Sequence, residues 1–73
     1  MMKNCQHNLI HQLSETMDSL WRMDQYIKDA EAESCSWGVE FWRKYKEGLE
    51  KHVMVLKEQL EKVVKEEGID ISR

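Results

Sequence analysis

Apolar residues recur at alternating steps of three and four along almost the whole chain, with a single interruption. Ile10, Leu13, Met17, Leu20 and Ile27 keep the period of an amphipathic helix, and the same stripe carries Asp24 and Glu31. A second row, Leu9, Leu13, Leu20, Met23, Ile27 and Ala30, widens that face, with Trp21 and Tyr26 beside it. After the break at Ser34-Cys35-Ser36-Trp37-Gly38 the period resumes through Val39, Trp42, Leu49, Val53, Leu56, Leu60 and Val63. No proline interrupts either arm. The pattern predicts one helix over about 4–33 and a second over about 37–67.

The ends of these arms carry helix-boundary chemistry. Asn4 is a competent N-cap for the first. Ser34 or Ser36 can accept the first free N–H groups of the second, with Gly38 relaxing the backbone there. Gly68 is a helix stop, Ile69 is placed to fold back on the last turn, and residues 70–73 read as a short tail. Glu40–Lys44, Glu47–Lys51, Glu58–Lys62 and Glu61–Lys65 are acid-first pairs at i,i+4, each worth ~0.2–0.5 kcal/mol if formed.

Two arms of roughly 45 Å joined by so short a connection must run antiparallel at a shallow angle. One partner helix cannot cover the widened first face together with Trp21, Trp37, Phe41, Trp42 and Tyr45. The expectation is an all-α protein: a single antiparallel two-helix hairpin spanning residues 1–73, which dimerises into a four-helix bundle. The apolar stripes are wider than the narrow seam of a two-stranded coiled coil.

Composition narrows the function classes. Seventy-three residues lie near the size at which one core is marginal without disulfides, metal or oligomerisation. A net charge of −3 leaves no basic face for nucleic acid. No apolar run is long enough to span a bilayer, and Met1-Met2-Lys3-Asn4-Cys5-Gln6 lacks the character of a signal peptide. A cytoplasmic homo-oligomer, with no membrane partner, is the expected setting. Cys5 and Cys35 belong to opposite ends of a hairpin, roughly 40 Å apart, beyond disulfide reach within one chain. Two reduced thiols are expected, with pairing between chains the other option.

The chemistry-bearing residues are carboxylates and histidines. His11, Glu15, Asp18 and Arg22 follow one another at four, three and four, forming a continuous polar stripe on the first arm. In a hairpin turning near Cys35, His52 and Asp18 each stand seventeen residues from the turn, so Glu15, Asp18 and Arg22 fall within axial range of His52. Glu15, Asp18 and His52 are therefore the candidate metal ligands, because facing bundle helices hold iron or manganese with such groups. Against this stands the plainer reading of the stripe as a solvated face and of His52 as a boundary residue of the Leu49–Val53–Leu56 seam. Asp24 is either a buried carboxylate in need of a partner or one that pairs with a neighbouring Lys or Arg and fixes register. His7 and His11, at i,i+4, are a further possible metal grip, and the methionines read as core filler.

The stretch Leu49-Glu50-Lys51-His52-Val53-Met54-Val55-Leu56-Lys57-Glu58-Gln59-Leu60 resembles the second helix of ferritin-like proteins, whose signature is Glu-x-x-His followed by an apolar run. Gln12-Leu13-Ser14-Glu15, continuing through Trp21 to Asp24-Gln25-Tyr26-Ile27, is similar to the first helix of the short, encapsulin-associated members. Those consist of one hairpin and complete a four-helix bundle by pairing. The resemblance covers roughly residues 9–64. It implies Glu15 as the first-helix metal carboxylate, Trp21 as the aromatic after it and His52 as the motif histidine. The implied activity is iron binding and ferroxidase-like oxidation of Fe(II) by oxygen, with a protein partner or shell around the dimer. The motif glutamate falls on Leu49, which cannot ligate a metal, and Glu50 lies about 100° around the helix from it. The alternative expectation is a non-catalytic dimerisation or protein-interaction module with no metal site. A small-molecule sensor built on Trp37, Phe41, Trp42 and Tyr45 is a third, for which packing already accounts.

Overall fold

A computed structural model of the chain describes residues 4–68. Two helices, α1 (Asn4–Ala32) and α2 (Ser36–Glu66), are joined by Glu33-Ser34-Cys35 and pack along their length. Both boundaries fall within a residue of those the hydrophobic period predicts. The pair forms a flat rod, 50 × 22 × 13 Å, with a radius of gyration of 16.1 Å, against about 11 Å for a compact chain of this length. No helix among the described residues is long and apolar enough to cross a membrane.

The hairpin is antiparallel because α1 ends in a tight reversal. Cys35 N–H reaches back to the Ala30 carbonyl at 2.8 Å, and Ser34 N–H to that of Glu31 at 3.1 Å. This is the paired closure of a Schellman motif, with Ser34 taking the left-handed conformation (φ 55°) that usually falls to glycine. Neither serine therefore caps α2 as expected. Ser34 is spent on ending α1 and Ser36 is already helical. The cap position is Cys35, which makes no side-chain cap bond but accepts the backbone N–H groups of Gly38 and Val39, both at 3.1 Å. At the far end Gly68 (φ 72°) closes α2 through N–H bonds to the Val63 and Val64 carbonyls, as its sequence position predicts. Ile69, the 70–73 tail and the residue before Asn4 lie outside the described residues.

The core is thin. Met23, Ala30, Leu49 and Val53 are its buried apolar residues, and no side chain among the described residues is sealed completely. In α1 the inward face is centred on the row through Met23 and Ala30; Ile10, Leu13, Met17, Leu20 and Ile27 lie half-buried beside it. Asp24 and Glu31, which the first-arm stripe placed on the seam, are exposed at its margin. Two polar residues are buried instead. Thr16 donates to the Gln12 carbonyl at 2.7 Å and accepts from the Gln12 amide at 3.2 Å. Gln6 donates to Glu67 Oε1 at 3.2 Å and to the Gly68 carbonyl at 3.1 Å, clasping the start of α1 to the end of α2. Each is satisfied, which is the condition for burying it.

Candidate functional site

Contacts across the seam set the axial register. Lys46 Nζ donates to Asp24 Oδ1 at 2.8 Å, Arg43 donates to Glu31 Oε2 at 3.2 Å, and Gly38 lies against Ala30 at the turn. The two residue numbers in each pair add to a nearly constant value, close to 70, as expected for a turn near Cys35. Asp24 thus follows the paired alternative, not the buried one. Its hydrogen bond with Lys46, and then the ammonium charge, hold its carboxyl below the ordinary 3.8; the same bond raises Lys46 above 10.5. The expected Glu–Lys pairs within α2 do not close to ion-pair distance among the described residues. The pairs between helices do, because the fold itself holds those side chains together, whereas an exposed i,i+4 pair must offset its own side-chain entropy.

At this register His52 stands level with Asp18 and within a turn of Glu15. Glu15 immediately precedes buried Thr16, and His52 immediately precedes buried Val53. Each is rotated about 100° from the seam. In antiparallel helices the same rotation turns both to the same side of the hairpin. Asp18 is five residues from buried Met23, about 140° away, and faces outward. All three are exposed, and no three His, Cys, Asp or Glu side chains among the described residues converge as a metal would require. Glu15 Oε1 instead lies 3.6 Å from His11 Nε2, and the His7 and His11 rings stack with centroids 6.0 Å apart. Leu49, at the position of the family's glutamate, is a buried core residue.

The densest chemistry is aromatic and gathers toward the turn. Phe41 meets Trp42 edge-on at 4.8 Å, Trp42 meets Tyr45 at 5.9 Å, and Tyr26 crosses from α1 to Trp42 at 5.0 Å and 60°. Spacing of four in α2 and level placement across the seam make this cluster. Phe41 and Tyr45 nevertheless keep half of their surface exposed. Between the cluster and the turn lies an open cleft of about 280 Å³, walled by Tyr26, Trp37 and Trp42 and edged by Asp29 and Glu33. The sequence offers Trp37, Phe41, Trp42 and Tyr45 as packing or as a sensor cluster, with no sign that Tyr26, Asp29 and Glu33 join Trp37 and Trp42. The missing signal was the close approach of Gly38 to Ala30, which brings the ends of both helices together. Cys5 and Cys35 are both free thiols, at opposite ends of the rod. No protein-family model, curated protein or solved structure matches the chain.

Proposed function

We propose that the chain is a helical-hairpin assembly module that pairs with a second copy of itself into a four-helix bundle. The observation that carries this is exposed aromatic surface: Phe41 and Tyr45 are each 50% exposed and Tyr26 37%, beside a core whose buried apolar residues among the described ones are Met23, Ala30, Leu49 and Val53. A thin core with large apolar side chains left outside it is what pairing would bury. The docking face is the side carrying Tyr26, Phe41 and Tyr45, where aromatic rings stand half-covered by their own chain. Aromatic anchors of this kind supply most of the energy in protein interfaces. Phe41→Glu and Tyr45→Glu should weaken pairing at least tenfold while leaving the hairpin helical. Met54→Glu, elsewhere on α2, should not. Unchanged association in both aromatic variants would reject this face.

A second reading follows the ferritin-like resemblance: iron or another divalent metal held between paired chains by Glu15, Asp18 and His52. It is favoured by Glu15 and His52 turning to the same side at nearly the same level, the side proposed for pairing. Its weakness is in the residues themselves, with Leu49 committed to the core and Asp18 turned outward. Metal analysis of the paired protein separates the readings. The module predicts no stoichiometric metal. A bound metal lost in both Glu15→Ala and His52→Ala would instead establish the ferritin-like site.

A further inference from the structure

The geometry points to a second property, in a cleft that shares Tyr26 with the face proposed for pairing: the cleft at the turn is a binding site for a bulky organic cation, a trimethylammonium group. Three aromatic side chains from both helices, Tyr26, Trp37 and Trp42, form its walls. The Tyr26 and Trp42 rings are in tilted contact, 60° apart in plane at a centroid separation of 5.0 Å, which fixes these two walls against each other across the helices. The floor is backbone and small side chains. A Cβ on Gly38 would meet Ala30 Cβ at 3.1 Å and Cys35 Sγ at 3.0 Å, so nothing larger than glycine lets the walls come together there.

Charge completes the chemistry. Asp29 and Glu33 line the cleft, no lysine or arginine does, and neither carboxylate is held in an ion pair among the described residues. Asp29 Oδ1 accepts a hydrogen bond from Gln25 at 2.8 Å, which orients the carboxylate without neutralising it. Aromatic faces attract cations through the ring quadrupole, and the attraction grows as the cation sheds water. A primary ammonium is strongly hydrated and gains little in an open cleft, whereas a trimethylammonium is weakly hydrated, apolar on its surface and still charged. A volume of about 280 Å³ suits such a headgroup better than a large ligand, since drug-sized pockets run from ~300 to 1,000 Å³. The cation could belong to a free choline-like molecule or to a trimethylated lysine of another protein. The recognition chemistry is the same for both.

The test is titration of the full chain with choline, followed through the indole N–H resonances of Trp21, Trp37 and Trp42. The signals of Trp37 and Trp42 should move saturably and that of Trp21, exposed elsewhere on α1, should stay. The neutral isostere 3,3-dimethyl-1-butanol, identical in shape but uncharged, should bind at least about tenfold more weakly. Trp37→Ala removes a wall that is 71% exposed, so the hairpin does not depend on it; circular dichroism checks this. That variant should weaken choline by roughly five- to thirtyfold, and Asp29→Asn should weaken it too. A parallel arm uses one peptide with its lysine trimethylated or unmodified. Tighter binding of the methylated peptide than of choline assigns a protein-borne cation, and equal binding a free one. The proposal fails if the alcohol binds as well as choline, if no saturable shift occurs, or if Trp37→Ala leaves binding unchanged.

Discussion

The two glycines inside α2 should respond in opposite directions to the same added methyl group. At Gly48 a Cβ would meet nothing within 4 Å. Replacement by alanine therefore keeps only the gain in helix propensity, ~0.8–1.0 kcal/mol. At Gly38 the new Cβ would sit 3.1 Å from Ala30 Cβ, an atom fixed to the backbone of the facing helix. The helices would have to part at the point that sets their turn. Overpacking of this kind costs ~1–3 kcal/mol, which more than offsets the propensity gain and leaves Gly38→Ala destabilised by about 1 kcal/mol. Urea denaturation followed by far-UV circular dichroism reads both, on a Phe41→Glu background so that pairing, whose side Gly48 shares, does not contribute. For a domain of this size 1 kcal/mol also moves Tm by about 4–8 °C. Stabilisation of Gly38→Ala to the same extent as Gly48→Ala would refute the close approach of the two helices at the turn.

Ser34 holds φ 55° with a Cβ, so Ser34→Gly should stabilise the hairpin by ~0.5–1 kcal/mol in thermal unfolding; no gain would argue against the reversal. Leu49→Ala should cost ~2–5 kcal/mol, enough to unfold most of a protein this small, read as lost helicity at 25 °C; a neutral result would remove Leu49 from the core. The Asp24–Lys46 bridge gives a signed pH dependence. Asp24 is lowered on folding, so its contribution is present above 3.8 and is lost as pH falls through the lowered value. Lys46 is raised, so its contribution is complete below 10.5 and is lost as pH rises through the raised value. Asp24→Asn should flatten stability at both limits while leaving Arg43–Glu31 intact, and added salt should mimic it.

The helices, their register and their ends were legible because hydrophobic period and glycine placement act locally. The three-and-four spacing located both helices, and a turn near Cys35 is consistent with the level at which Asp24 meets Lys46, a pairing whose partner the sequence did not name. Sequence alone was less able to choose which of two adjacent apolar rows in the first helix points inward. Both rows are apolar; Met23 and Ala30 are the buried ones, with Ala30 facing Gly38 of the second helix. Ser34, at φ 55°, ends the first helix and Cys35 takes the cap of the second, an exchange of roles that cap preferences alone did not indicate. The burial of Gln6 was not legible, since its partners at Glu67 and Gly68 lie at the other end of the chain. For the candidate site, axial level could be counted but rotation about each helix could not be read with the same security. Rotation is what turns Asp18 outward while Glu15 and His52 share a side, and what joins Tyr26 to Trp37 and Trp42 at the turn.

Pairing is the central claim, and sedimentation equilibrium of the full chain across the micromolar range tests it most directly. A folded hairpin with so thin a core and Phe41 and Tyr45 half exposed should sediment at twice the 8.8 kDa chain mass. Phe41→Glu should return it toward a single chain. A helical species that stays at 8.8 kDa throughout would contradict the account.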